Sequence, residues 1–152
     1  MIEIRNLTTS QIDESFIKKI AEIVFKEENV KKETELSIAF IGSGRMRKLN
    51  KIWRNKNRAT DILAFPELKV ACEKFRLGKS SKIAVIGEIV ICLREIKKNA
   101  KRFKTSANKE LARVIAHGIL HLLGYDHEKS EEKAERMRKR EEEYIKKIER
   151  FN

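Results

Sequence analysis

The chain reads as one mixed β-sheet of four strands with about five helices packed on it, carrying a metal site on a central helix and the turn that follows it. Three observations lead there. Four short segments, 2–7, 35–41, 60–65 and 82–92, show period-two alternation or a continuous β-branched apolar run. Longer segments with apolar residues at helical spacing are interleaved with them without strict strand–helix alternation, which favours a mixed sheet. Finally, all three histidines fall in one stretch, His117-Gly118-Ile119-Leu120-His121-Leu122-Leu123-Gly124-Tyr125-Asp126-His127, with spacing H-x3-H-x5-H.

Each element has a local reason. Ile2 to Leu7 alternates, with Ile2, Ile4 and Asn6 on one face. Ser10 or Thr9 is expected to cap a helix from about Ile12 to Glu28, whose stripe is Ile12, Phe16, Ile20, Ile23 and Val24. Glu35 to Ile41 alternates through Leu36, Ile38 and Phe40, and Gly42-Ser43-Gly44 then turns the chain into a basic helix from Arg45 to about Asn55, with Met46, Leu49, Ile52 and Trp53 as its apolar residues. Thr60 to Phe65 is a strand stopped by Pro66, the only proline. Residues 67–80 lack a period, and Leu77-Gly78-Lys79-Ser80-Ser81 reads as a loop tip. Lys82 to Cys92 reads as a strand buried on both faces, with Gly87 marking a bulge or a close approach. A strongly basic helix follows from Leu93 to Phe103. Thr105 or Ser106 then caps the histidine helix, whose core side carries Leu111, Val114, Ile115, Ile119 and Leu122. Ser130 caps a last, highly charged helix from Glu131 to about Arg150.

The chain is one domain over residues 1–152, long enough to bury a core, and its 41% hydrophobic content excludes disorder as the main description. Lysine and arginine outnumber acidic residues 35 to 23, a net charge of +12. That balance favours polyanionic partners, nucleic acid before anionic membrane, over the alternative of lysines that merely solvate helical faces. Cys72 and Cys92 match no metal spacing and no disulfide framework, so both read as thiols in a reducing compartment. No stretch approaches the roughly 18 apolar residues of a membrane span, and no signal-peptide pattern opens the chain. A cytoplasmic protein is expected.

On a helix, His117 and His121 are i and i+4, with Cβ atoms about 5–6 Å apart on one face. Gly124 stands where a left-handed cap would end the helix and return His127 to the same ion. Three nitrogens and an open position describe a catalytic zinc site, one ion per chain, although nickel, copper and iron also accept imidazole. The pattern resembles the H-E-x-x-H of metallopeptidases, but Gly118 stands where their general-base glutamate would be, which argues against peptidase chemistry. Gly118 either lets a strand or substrate approach the helix or is a tolerated glycine; its place between ligands favours the approach. Asp126 has two readings of equal weight, orienting an imidazole or stabilising the turn. Tyr125 reads as packing.

The histidine stretch matches the H-G-x-L-H-L-x-G-Y-D-H signature of the YbeY-type bacterial endoribonucleases. Leu49-Asn50-Lys51-Ile52-Trp53-Arg54, Thr60-Asp61-Ile62-Leu63-Ala64-Phe65-Pro66 and Gly87-Glu88-Ile89-Val90-Ile91 resemble further blocks of that family, in its order. Ala64 replaces the usual serine, and Glu88 replaces the usual aspartate, keeping the charge but moving it by one methylene. The resemblance implies a single α+β domain and a metal-dependent hydrolase acting on RNA. It also implies a role in 16S ribosomal RNA 3′-end maturation and ribosome quality control, with the 16S precursor, the small subunit and its proteins as partners. By position it implies His117, His121 and His127 as metal ligands and Arg54 as the functional arginine.

Arg54 makes sense on its own chemistry, since a guanidinium binds phosphate bidentately and stabilises charge developing at a cleaved phosphodiester; the plain alternative is a surface arginine on a basic helix. Arg45, Arg47 and Lys48, with Arg94, Lys97, Lys98, Lys101, Arg102 and Lys104, either track an RNA backbone or form solvated helix faces. The leading expectation is a single-strand-directed, metal-dependent endoribonuclease, monomeric and without membrane contact. The alternative is a non-catalytic RNA-binding assembly factor with a structural metal, and a metallopeptidase ranks third.

Overall fold

Strand alternation gives the sheet its two faces. In the computed structural model, which describes residues 1–66, 85–125 and 130–150, strands β1 (Ile2–Asn6), β2 (Glu35–Phe40), β3 (Ile62–Pro66) and β4 (Val85–Ile91) pair in the order β1-β2-β4-β3. The first three neighbours in that order run parallel, and edge strand β3 runs antiparallel to β4. The mixed α+β sheet expected from the sequence is the one observed. Pro66 ends β3 on the sheet edge, where its missing N–H breaks no ladder.

Helices α1 (Glu14–Glu27), α3 (Leu93–Arg102), α4 (Ala107–Leu122) and α5 (Glu131–Glu149) build the main core against one sheet face. Leu36, Ile38, Phe40, Ile89 and Ile91 supply the sheet side of that core; Ile17, Ile20, Val24, Ile96, Ile115, Ile119 and Tyr144 supply the helix side, all essentially inaccessible to solvent. Each such side chain contributes about 1.5–3 kcal/mol relative to leaving it exposed. Helix α4 is central, packing against α1, α3, α5, β3 and β4. Among the described residues the opposite face carries α2 (Ser43–Arg54), over a smaller cluster of Ile41, Met46, Leu63, Val90 and Cys92. Among the described residues no helix is long and apolar enough to cross a membrane.

Several local expectations are corrected. Helix α1 is capped by Asp13, whose carboxylate accepts from the Phe16 N–H at 3.0 Å, and not by Ser10 or Thr9. Those upstream residues belong instead to a turn held by the Asn6 side chain, which bonds Thr8 and the Ser10 carbonyl. Of the apolar residues of α2 only Met46 is fully buried; Ile52 and Trp53 are 71% and 65% exposed. Strand β4 is not closed on both faces, since Glu88 is exposed on the α2 side. Gly87 marks both a bulge and a close approach. The β2–β4 register shifts beside it, and with φ +141° a Cβ there would stand 2.3 Å from the Phe65 carbonyl oxygen. The loop expected over 67–80, Cys72, Asp126 and His127 lie outside the described residues.

Candidate metal centre

Helix α4 starts at Ser106, whose hydroxyl accepts from the Lys109 N–H at 3.1 Å. It ends in a paired C-terminal cap. Gly124, with φ +102°, donates to the His121 carbonyl at 3.1 Å, and Tyr125 donates to the Leu120 carbonyl at 3.0 Å. Between those ends His117 and His121 share one face, half-buried, with ring centroids 5.5 Å apart and planes at 65°. Gly118, between them, faces the sheet: a Cβ there would lie 2.6 Å from Ile62 Cδ1 and 3.0 Å from Ile89 Cδ1. Its absent side chain lets α4 press onto β3 and β4. A glutamate at this position would enter the core, which removes the peptidase general base on geometric grounds as well.

The partner that orients the site comes from α5. Glu141, only 8% exposed, is hydrogen-bonded to His117 Nδ1. A carboxylate there favours the tautomer with its proton on Nδ1, leaving Nε2 as the nitrogen that would hold an ion. This carboxylate–histidine arrangement fits a metal ligand, as does the i, i+4 pairing. Among the described residues no three His, Cys, Asp or Glu side chains converge as a complete ligand set, the third histidine of the motif lying outside them. Glu141 was not singled out from the sequence. It was nonetheless legible as an acid within the buried stripe of α5, Met137, Glu141, Tyr144 and Ile148.

A second carboxylate secures the turn after α4. Glu28, at the C-terminal cap of α1, accepts from Tyr125 Oη at 2.9 Å and from Tyr144 Oη, with Arg140 Nε at 3.7 Å. Tyr125 is thus more than packing. Burial, then the Glu28 hydrogen bond, pushes both phenols above their ordinary range and keeps them as donors. Helix α5 consequently braces the histidine helix in two ways, through Glu141 on His117 and through Tyr144 and Arg140 on Glu28.

Arg54 is exposed at the last position of α2. Asn50, 2% exposed, fixes the turn beyond it by donating to the Arg58 carbonyl at 2.9 Å, while Asn55 takes φ 57°. A line of contacts links this end of α2 to the histidine end of α4. Trp53 stands edge-on to Phe65 at 5.6 Å, Pro66 pairs with Gly87, and the space beside Gly87 is filled by Leu122. The basic candidates do not form one tract. Arg45, Arg47 and Lys48 are exposed on α2; Arg94, Lys97, Lys98, Lys101 and Arg102 are exposed on α3, on the other side of the sheet.

A family model described as Endoribonuclease YbeY matches residues 3–149. The chain belongs to the YbeY family. A YbeY endoribonuclease of Thermodesulfovibrio yellowstonii is 38% identical over 140 residues, covering 86% of this chain and 83% of the relative. One from Clostridium perfringens is 37% identical, covering 91% and 90%, and one from a Sulfurihydrogenibium species is 36% identical, covering 88% and 82%. The solution structure of TM1509 from Thermotoga maritima superposes with TM-score 0.66 at 27% identity, over 97% of this chain and 89% of that one. The YbeY match runs across α4 and α5 together, so the histidine helix and the helix that braces it fall inside the same family region.

Proposed function

We propose that this chain is a metal-dependent endoribonuclease that cuts single-stranded RNA in the cytoplasm, serving 16S ribosomal RNA 3′-end maturation and ribosome quality control. The small ribosomal subunit and its proteins are its expected partners. The observation that carries the reading is the pair of histidines one turn apart on α4, one of them held by a buried carboxylate, within a chain matched to endoribonucleases over nearly its whole length. The net charge of +12 supports a polyanionic substrate.

His117, His121 and His127 would hold the ion, with zinc the first choice for imidazole nitrogens and nickel or another transition metal as alternatives. When bound, the ion supplies Lewis acidity that polarises a phosphoryl oxygen and acidifies water. Glu141 keeps His117 in the ligating tautomer and orientation. Arg54 binds the phosphate beside the site and stabilises the charge that builds on its oxygens as the phosphodiester is attacked. Asn50 holds the turn that follows Arg54.

The test is cleavage of a defined single-stranded RNA by purified protein, with and without chelator, alongside metal analysis. Cleavage is expected to stop on chelation. Arg54→Ala should retain the ion while losing about 10²–10³-fold in rate. Undiminished cleavage by metal-free, nuclease-depleted protein would overturn the role of the ion. Tight RNA binding with no cleavage under any condition would favour the non-catalytic assembly factor.

A further inference from the structure

Among the described residues, the sheet face beside α2 forms a groove of about 600 Å³ that reaches Trp53, next to Arg54 in the chain. Its floor is apolar, from Ala39, Ile41, Phe65 and Val90. Its wall is one stripe of α2, Arg45, Leu49 and Trp53, at i, i+4 and i+8 and spanning about 12 Å of helix. Trp53 lies 65% exposed at the groove rim, edge-on to Phe65. Burying such a ring in the main core would be the ordinary outcome, yet here it is presented to solvent. The helix that presents it carries Arg45, Arg47, Lys48, Lys51 and Arg54, all exposed, and no acid. Among the described residues, the only carboxylate lining the groove is Glu88, on the floor next to Val90.

We infer that this groove is a nucleobase subsite for single-stranded RNA, in which a base stacks on Trp53 and presents an exocyclic amine to Glu88. The charge arrangement selects this occupant. Exposed aromatics within a cationic groove are the standard means of holding single strands, the cations following the backbone and the ring taking the base. Glu88 repels phosphate from the floor, so the backbone lies outward along the α2 cations and the base points inward. A carboxylate there accepts from cytosine N4 and has no donor to meet at the uracil O4 edge. The groove lies on the α2 face of the sheet, and contacts through Phe65, Pro66, Gly87 and Leu122 tie its end to the C-terminal end of α4 on the other face. The inference rests on the endoribonuclease reading for its substrate but is tested by binding alone.

Trp53 is the only tryptophan, so its emission reports the groove directly. The purified protein is titrated with short 2′-O-methyl oligocytidylate, oligouridylate and an abasic ribose–phosphate oligomer of equal length. Saturable quenching by oligocytidylate is expected, with weaker binding of oligouridylate. Trp53→Ala, read by fluorescence polarisation of labelled oligonucleotide, should weaken binding by about 5- to 150-fold, with Trp53→Phe restoring most of it. Glu88→Gln should narrow the preference for cytosine. Absence of quenching, equal binding of the abasic oligomer, or an unchanged affinity in Trp53→Ala would overturn the subsite. Equal binding of the two pyrimidines would overturn the role of Glu88. A self-association that Trp53→Ala abolishes in sedimentation, with RNA affinity unchanged, would assign the groove to a second copy of the chain instead. Quenching without any cleavage would leave the subsite standing and remove the endoribonuclease reading, so the two fail separately.

Discussion

Replacing Glu141 with glutamine probes the bracing of the candidate metal centre most directly. The side chain keeps its volume and an oxygen that accepts from His117 Nδ1, but the charge is lost. Glu141 is 8% exposed and the His117 side chain 25%, so solvent screens the interaction little. Outer partners of this kind are worth about 10–100-fold in metal affinity, or roughly 1.4–2.8 kcal/mol. Glu141→Ala removes the acceptor altogether, at a further cost of about 1.5–3 kcal/mol to the metal-free fold. Zinc affinity is measured by competition with a chromophoric chelator, and metal-free stability by denaturant unfolding. The expected order of affinity is wild type, then Glu141→Gln, then Glu141→Ala, with Glu141→Gln nearly as stable as wild type without metal. Wild-type zinc affinity in both folded variants would refute the assignment of Glu141 to the ligand.

Three further outcomes follow from the packing. Gly118→Ala should destabilise by about 1–2 kcal/mol, since its methyl meets movable ends of Ile62 and Ile89 while gaining helix propensity; Gly87→Ala should cost more, because it meets the Phe65 backbone at positive φ. Denaturant midpoints of the two variants check that order. Tyr144 is raised above its ordinary value of 10.0 by burial and by Glu28, so its stabilisation is complete below about pH 10 and is lost as pH rises, the unfolded phenol ionising first. Tyr144→Phe should therefore show a shallower alkaline loss of thermal stability, as well as a lower melting temperature at neutral pH. Asp13→Ala should cost about 1 kcal/mol of unfolding free energy and Ser10→Ala almost nothing; equal effects would contradict the observed cap of α1.

What the sequence determined by itself is what short-range chemistry encodes. Ser106 and Ser130 cap their helices as expected, each accepting from an N–H three residues on at 3.1 Å. Gly124 ends α4 at positive φ, and the spacing of His117 and His121 sets their rings side by side. All of these are settled within one or two turns of chain, where backbone geometry leaves few choices. The family blocks around Arg54 and the histidines were likewise readable as linear patterns. Only the tertiary structure decided the strand order, the joining of α5 to α4, and which surfaces stay open. Glu141 reaches His117 across 24 residues and Glu28 reaches Tyr125 across 97, contacts that no local propensity specifies. The sequence likewise marked Met46, Leu49, Ile52 and Trp53 as the apolar residues of α2 without deciding which of them would be covered. Whether an apolar residue is covered depends on the partner surface brought to it, and among the described residues none is brought over Trp53, which stands at the rim of the groove.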